Sequence, residues 1–360
     1  MLPEPRVRVA DPHRAPVARP LIAWLALSCV AVIIGCGKPS AAASPSAASV
    51  DSVGITVSDM DRSVDFYTRV LAFETVADRE VSGERYEHLF GVFGLRIRAV
   101  RMRLGAEYIE LMQFLAPRGR PIPPDSRSND QWFQHVAIVV SDMSAAYARL
   151  RGFHVEYASS GPQRLPDWNP NAAGIEAFYF RDPDGHNLEI IAFPPGKGLA
   201  KWQLRNGNLF LGIDHTAIVT SDTEASLRFY RDLLGLRVVG TSENYGPEQE
   251  QLNNVFGAHL HITSLRGPAG PGVEFLEYIA PRTGRPPPLG SQANDLWYWE
   301  INLRVADPAA LEGLLRKSHH AFVSSRVTEL NDAALGWQTG IVVRDPDGHA
   351  SLIARGVSGR

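Results

Sequence analysis

Two halves of this sequence repeat one another at a nearly constant spacing, and this duplication limits the possible folds more than any other feature. The segment SDMDRSVDFYTRVLAF at Ser58–Phe73 returns as SDTEASLRFYRDLLGL at Ser221–Leu236, and RDPDGH at residues 181–186 returns at 344–349. Both pairs are 163 residues apart. A fixed spacing across most of a chain indicates tandem duplication, so both halves are expected to fold into the same unit.

Each half divides again into two similar units. Four apolar, β-branched runs, VGITVSDM, HVAIVVSDM, HTAIVTSDT and INLRVADP, end in a Ser/Ala-Asp pair and precede a helical pattern. The pair is a good helix N-cap. Strand-like runs follow the helices, and the Asp-Gly of PDG predicts a tight turn between two of them. We therefore predict an α+β fold in which a strand, a helix and about three further strands occur four times.

The patterns strand-SD-helix-FYxxxLxF and DPDGHxLEI resemble the vicinal oxygen chelate superfamily, which includes glyoxalase I, extradiol dioxygenases and bleomycin-resistance proteins. The resemblance covers residues 51–355 and implies βαβββ modules that pair into curled half-barrel sheets around a divalent metal. The predicted boundaries are 51–195 for a first domain (modules 51–117 and 132–194), 196–210 for a linker, and 211–356 for a second domain (modules 211–281 and 297–355).

The N-terminal segment differs in character from these modules. Four arginines precede the apolar run at residues 21–34, which is short for a transmembrane helix and typical of a signal peptide. The run ends in IIGC at Cys36, which is similar to a bacterial lipobox, so residues 1–36 are predicted to be a lipoprotein signal peptide with lipidation at Cys36. Residues 37–50, rich in Ala, Ser and Pro, are predicted to be a flexible tether. The alternative is an uncleaved anchor.

The composition argues against several kinds of chemistry and partner for the modules. Cys29 and Cys36 are the only cysteines of the chain, so thiol nucleophiles, thiolate metal ligands and disulfides are not expected in the modules. The net charge of -3 gives no reason to expect nucleic acid binding.

A small molecule is the expected partner, and a monomer is expected because four modules complete the pairing. The predicted location is outside the cytoplasm, anchored by lipid to a bacterial membrane on its periplasmic side or at the cell surface.

The resemblance also implies where a metal is bound, because each module of the superfamily offers a His or Gln on its first strand and a Glu on its last. The first-strand positions are Ser52, His135, His215 and Glu300, and the last-strand positions are Glu110, Glu189, Glu274 and Leu352. The three glutamates lie within apolar runs. An isolated buried carboxylate is unfavourable there unless a cation compensates its charge.

Two pairings of the modules remain open in the sequence. Pairing module 1 with 2 and module 3 with 4 gives two incomplete ligand sets. Pairing module 2 with 3 and module 1 with 4 gives one complete set of two His and two Glu and one set without His. We favour the second pairing because selection then needs to keep only one pocket. Under either pairing the predicted metal ligands are His135, Glu189, His215 and Glu274.

The ligand set suits one divalent metal among Zn, Ni, Mn, Co and Fe. By resemblance to glyoxalase I, we expect a lyase or isomerase acting on a small substrate with vicinal oxygens through a metal-stabilised enediolate, with Glu189 as the catalytic base. Glutathione is mainly a cytosolic thiol, so its adducts are not the expected substrates. The alternatives are a non-catalytic binding protein of the bleomycin-resistance type and, less favoured, a ring-cleaving dioxygenase.

Two further features concern the surroundings of this site. His186 and His349 belong to the RDPDGH turn, which occurs both with and without the following Glu, and this favours a packing role for them. The loop LPDWNPNAAG at residues 165–174 carries Trp168 and is a candidate for the pocket mouth, although an ordinary surface loop is equally consistent with its composition.

Overall fold

The computed structural model describes residues 47–204, 207–332 and 335–357. The predicted signal peptide, Cys36 and most of the predicted tether lie outside these residues. The first strand begins at Ser49, inside the predicted tether, because Ala48 and Val50 are buried in a hydrophobic core. In the described part of the chain, no helix is long and apolar enough to cross a membrane.

The described chain forms four modules, each with a first strand, a helix and further strands. Module 1 contains β1 (Ser49–Thr56), α1 (Met60–Arg69), β2 (Glu74–Ser82), α2 (Glu84–Phe90), β3 (Arg96–Leu104) and β4 (Glu107–Ala116). Module 2 contains β5 (Gln134–Val140), α3 (Met143–Gly152), β6 (Glu156–Tyr157), β7 (Gln163–Arg164), β8 (Glu176–Arg181) and β9 (Asn187–Ala192).

A 3-10 helix (Ala200–Gln203) then leads into the second half. Module 3 contains β10 (Phe210–Thr220), α4 (Thr223–Leu227) continued by a π-helical segment (Arg228–Leu233), β11 (Arg237–Tyr245), α5 (Pro247–Asn253), β12 (His259–Arg266) and β13 (Gly272–Ala280). Module 4 contains β14 (Trp299–Arg304), α6 (Pro308–Lys317), β15 (Thr328–Asp332), β16 (Trp337–Arg344) and β17 (Ala350–Gly356).

The predicted N-caps begin the main helix of every module. The Asp of each Ser/Ala-Asp pair has extended backbone and accepts a hydrogen bond from a backbone N–H in the first turn. The short helices α2 and α5 were not predicted. Each follows a glycine with positive φ, Gly83 at 94° and Gly246 at 95°, a conformation that other residues rarely adopt.

The two sheets combine modules from different halves of the sequence. One has the order β15-β16-β17-β14-β1-β4-β3-β2, and the other has the order β11-β12-β13-β10-β5-β9-β8-β6, with β7 paired to β8. We call the first the outer-module sheet, since it holds modules 1 and 4, and the second the inner-module sheet, since it holds modules 2 and 3. In each sheet the two first strands pair antiparallel at the centre. The favoured pairing of modules 2 with 3 and 1 with 4 is therefore confirmed.

The RDPDGH turn connects the two modules of each half. Asp182 accepts hydrogen bonds at 2.9 Å from the backbone N–H groups of Asp184 and His186, and its Oδ2 lies 2.8 Å from His186 Nδ1. The Tyr67 hydroxyl of module 1 donates to the same carboxylate. The second copy repeats these contacts with Asp345, Asp347, His349 and Tyr230. Both histidines therefore have the predicted packing role.

Candidate metal centre and substrate cavity

The four predicted ligands lie on four neighbouring strands of the inner-module sheet. Glu274 is on β13, His215 on β10, His135 on β5 and Glu189 on β9, which is also the order of these strands across the sheet. His135, Glu189 and His215 are buried, and Glu274 is half-buried. The antiparallel pairing of β5 with β10 is what brings the two histidines to adjacent positions.

The distances between these side chains suit a shared cation. Glu189 Oε2 lies 3.1 Å from His135 Nε2 and 3.6 Å from His215 Nε2, and Glu274 Oε2 lies 3.4 Å from His215 Nε2. One ligand atom from each of His135, Glu189 and His215 lies within 4.8 Å of the other two. Ligands at about 2.1 Å from a first-row divalent cation are themselves about 3.0–3.4 Å apart. The spacing of the three residues and Glu274 is therefore close to that of the ligands of a single cation.

The histidine nitrogens support this assignment because they are buried and unpaired. Three of these nitrogens, both of His135 and the Nε2 of His215, have no hydrogen-bond partner of suitable geometry among the described residues. Buried polar atoms are almost always paired in native proteins. A divalent cation would satisfy the Nε2 atoms and also offset the charge of the two carboxylates. The residues present therefore fit a metal.

Asp214 lies directly behind His215 and was not predicted as part of the site. Its Oδ2 lies 3.0 Å from His215 Nδ1, Trp202 Nε1 donates to Oδ1 at 2.6 Å, and Arg266 Nη2 donates to both oxygens at 2.8 Å. Burial alone would raise the pKa of Asp214, but these partners hold it well below its usual range. Burial alone would lower the pKa of His215, but Glu274, Asp214 and Glu189 raise it to about 9.

Two further residues of the site face the glutamates on neighbouring strands, and neither was predicted from the sequence. Ser264 on β12 faces Glu274, and its hydroxyl donates to Glu274 Oε1 at 2.6 Å. Tyr179 on β8 faces Glu189 across the sheet, and its side chain lines a cavity. Burial, together with the negative charge of Glu189, raises the pKa of Tyr179 well above its usual value. The Tyr179 hydroxyl therefore stays protonated and can donate a hydrogen bond to a bound molecule.

A cavity of about 550 Å³ opens onto the cluster and is lined by Glu189, His215 and Glu274. Its size suits a small organic molecule. Apolar side chains supply most of its wall, among them Ile175, Ala177, Ile191, Leu252, Ile262 and Leu276. The cavity therefore combines a polar floor with largely apolar walls.

Leu165, Asn171 and Ala172 of the loop at residues 165–174 line this cavity, so of the two readings left open by the sequence the structure agrees with the pocket mouth. Asn169 Nδ2 donates to Asn244 Oδ1 at 2.8 Å, and the ring of Trp168 packs on that of Tyr245 with 4.3 Å between centroids. Both contacts tie the loop of module 2 to β11 of module 3. The pocket therefore depends on contacts between the two halves of the chain.

The corresponding position in the outer-module sheet is filled by arginine. Ser52 donates to Glu110 at 3.1 Å, while Arg101 donates through Nη1 to Glu110 at 2.5 Å and through Nη2 to Asp51 at 2.7 Å. Arg101 faces Glu110 across the sheet, as Ser264 faces Glu274 in the inner-module sheet. The remaining cavity is only about 30 Å³. The guanidinium thus gives Glu110 the positive partner that a metal would give Glu189.

Glu300 is a buried carboxyl group of this filled site. The Tyr298 hydroxyl donates to its Oε2 at 2.9 Å. Burial and the nearby Glu110 carboxylate raise the pKa of Glu300 to about 8, although the Tyr298 hydrogen bond acts in the opposite direction. Leu352, also buried, lines the same small cavity.

Replacing Glu300 by Gln is expected to stabilise the protein at pH 8 relative to pH 5. The folded protein binds the Glu300 proton more tightly than the unfolded chain does, so the contribution of this group to stability falls as pH rises from about 4.5 to about 8. The relative gain at pH 8 should be on the order of 3 kcal/mol in the free energy of unfolding by urea. Glu329→Gln, at an exposed position, is the control. A pH-independent difference would mean that Glu300 is ionised in the fold.

Comparison with known proteins agrees with this architecture. The family model for the Glyoxalase/Bleomycin resistance protein/Dioxygenase superfamily matches residues 49–190 and 212–351. The chain is 32% identical over 156 residues to a 2-epi-5-epi-valiolone epimerase from Actinomyces sp., covering 42% of this chain and 83% of that protein. It is 23% identical over 202 residues to a lactoylglutathione lyase from Arabidopsis thaliana, covering 56% of this chain and 59% of that protein.

Solved structures show the same fold. Glyoxalase I from Zea mays matches with a TM-score of 0.55 and 14% identity, over 86% of this chain and 92% of the maize chain. A putative dioxygenase from Bacillus subtilis matches with a TM-score of 0.54 and 14% identity, over 88% of this chain and 87% of the other. With both repeats matched by the family model, the chain belongs to the Glyoxalase/Bleomycin resistance protein/Dioxygenase superfamily.

Proposed function

We propose that the protein is a metal-dependent isomerase or lyase that moves a proton on a small substrate with vicinal oxygens. The observation that carries the proposal is the group of His135, Glu189 and His215, of which Glu189 and His215 line a large cavity, with buried histidine nitrogens that lack partners in the described chain. Glyoxalase-like members of the superfamily are usually metal-dependent and bind small molecules. The similarity to an epimerase also favours proton transfer.

The residues divide into those that hold the cation and those that act on the substrate. His135, His215 and Glu274 would hold the cation together with Glu189. A bound divalent cation supplies a Lewis acid that stabilises negative charge on a substrate oxygen. The presence of Glu274 beside His215 favours a ligand set of two His and two Glu over the set of two His and one carboxylate that a ring-cleaving dioxygenase needs.

Glu189 is the proposed base. Its carboxylate contacts both histidines and lines the cavity, so it lies at the boundary between the ligand group and the substrate. Tyr179, the neighbour of Glu189 across the sheet, would donate a hydrogen bond to a substrate oxygen as charge develops there. The largely apolar walls lower the polarity around both interactions and so strengthen them.

The proposal also includes a location outside the cytoplasm through lipidation at Cys36, which follows from the lipobox-like IIGC. A protein in that location meets little glutathione. We therefore propose an α-hydroxycarbonyl substrate rather than a glutathione adduct.

The test is deuterium exchange at the carbon beside the carbonyl. Zinc-loaded protein in D2O is incubated with dihydroxyacetone, erythrulose and 2-hydroxycyclohexanone, and the loss of the C–H signal is followed by NMR. The wild type is expected to catalyse exchange in at least one probe. Tyr179→Phe should slow it by about 10–100-fold without changing zinc affinity, because only the hydrogen bond to substrate is lost.

Tyr157→Phe is the control for this experiment, since Tyr157 is a partly exposed residue of the same sheet that does not line the cavity. This variant should catalyse deuterium exchange of the probe at the wild-type rate. Exchange in none of the probes, with zinc bound, would contradict the proposed proton transfer and support the non-catalytic binding protein instead.

A further inference from the structure

We infer that Asp214 is a positioning residue, which keeps the proton of His215 on Nδ1 and so leaves the Nε2 lone pair free for the cation. This inference rests on the proposed metal site and deepens it. It assigns a role to a residue that was not among the predicted ligands.

Asp214 reaches His215 because β10 contains a β-bulge. Ile213 pairs with Ile138 and His215 pairs with Ala137, so Asp214 is an extra residue without a partner on β5. Neighbouring side chains of a regular strand point to opposite faces of the sheet. The bulge removes this alternation locally, and the Asp214 carboxylate comes to lie against the ring of the next residue.

The other partners of Asp214 determine which atom of His215 carries the proton. Trp202 Nε1 and Arg266 Nη2 are obligate donors, and both donate to the carboxylate of Asp214. Asp214 is buried, with 6% of its surface exposed. An ionised carboxylate can only accept, so the 3.0 Å contact requires a proton on His215 Nδ1. When a cation displaces the proton from Nε2, the ring keeps its Nδ1 proton and presents the Nε2 lone pair toward Glu189 and Glu274.

His135 lacks such a partner, which makes the two predicted histidine ligands unequal. No hydrogen-bond partner in the described part of the chain contacts His135 Nδ1. A carboxylate that orients one ligating ring is expected to matter for affinity, since partners of this kind affect metal binding by about 10–100-fold.

The outer-module sheet offers a matched control for Asp214. A register shift between Val50 and Ser52 places a bulge at Asp51, the residue 163 positions before Asp214. Asp51 accepts hydrogen bonds from Arg101 and Arg304, and the residue that follows it is a serine. It therefore shares the backbone setting of Asp214 and, like Asp214, accepts hydrogen bonds from arginine, but it has no ligand to position.

Asp214→Asn should reverse the proton placement on His215. Trp202 Nε1 can only donate, so the amide oxygen of the new side chain should turn toward it. The amide NH2 would then face His215 Nδ1, which must accept and so carries no proton. The neutral ring would keep its proton on Nε2, where it blocks coordination.

The experiment measures zinc affinity by competition with a chromophoric chelator. Asp214→Asn should bind zinc about 10–100-fold more weakly than the wild type, while Asp51→Asn should bind as the wild type does. Thermal unfolding followed by circular dichroism shows whether either variant has lost its fold. In Asp214→Asn/Trp202→Phe the amide is free to turn, so part of the lost affinity should return. Wild-type affinity in a folded Asp214→Asn would overturn the inference.

A second measurement needs no change at Asp214 and so does not depend on the folding of the variant. In the zinc-loaded wild type, NMR should detect an imidazole Nδ1–H protected from solvent exchange, assigned by its loss in His215→Gln. The absence of this resonance would also overturn the role of Asp214. Failure of the wild type to bind zinc would instead overturn the proposed metal site, so the two failures are distinguishable.

Discussion

Glu189→Gln is expected to weaken zinc binding by at least about 100-fold, because the ligand group loses the carboxylate that contacts both histidines. Glutamine nearly preserves the shape of the side chain, so packing against Tyr179 should be kept and the fold should remain stable. Competition with a chromophoric chelator gives the affinity, and circular dichroism gives the state of the fold.

The matched control is Glu110→Gln in the outer-module sheet. Glu110 occupies the equivalent last-strand position, but it is paired with Arg101 instead of histidines. This variant should bind zinc as tightly as the wild type does. Equal losses in the two variants would contradict the assignment of the site to the inner-module sheet.

Arg101→Ser is expected to lower the free energy of unfolding by about 3–5 kcal/mol at pH 7, since Glu110 would stay buried without its positive partner while Asp51 would keep only Arg304. Serine is the residue that the fold accepts at the equivalent position of module 3, Ser264. The loss should therefore reflect charge and packing and not an unsuitable backbone. Urea unfolding measures it.

The double variant Arg101→Ser/Glu110→Gln should recover part of this loss because the buried carboxyl group that has lost its partner is replaced by a neutral amide. As a comparison, Arg98→Ser on the same strand removes an exposed ion-pair partner of Asp78 and should cost about 1 kcal/mol or less. A double variant no more stable than Arg101→Ser would show that Glu110 does not need the guanidinium.

The repeat made the fold and the ligand positions predictable. Alignment on the Ser/Ala-Asp pairs placed His135 and His215 on equivalent strands, and the loss of His at Ser52 and of Glu at Leu352 favoured the pairing that the sheets have. That inference worked because a pocket that has lost its function no longer constrains its residues. The structure brings the four predicted residues together, and their binding of a metal stays a prediction.

The surroundings of the site were not predictable because they depend on strand register. Tyr179 and Ser264 matter only because each faces a glutamate on the neighbouring strand. The run RIRAVRMRL contains four arginines, and nothing in its pattern indicates that Arg101 alone among them is buried. Asp214 could have been noticed, since Asp51 repeats it, but the bulge that turns it toward His215 has no clear sequence signal.

We propose that the chain holds one metal site, in the inner-module sheet, and an arginine in place of the second. The most direct measurement is the zinc content per chain after loading and gel filtration, determined by plasma mass spectrometry. We expect one zinc in the wild type and in Glu110→Gln, and well below one in Glu189→Gln. Two zinc ions per wild-type chain, none, or a loss in Glu110→Gln would contradict the account.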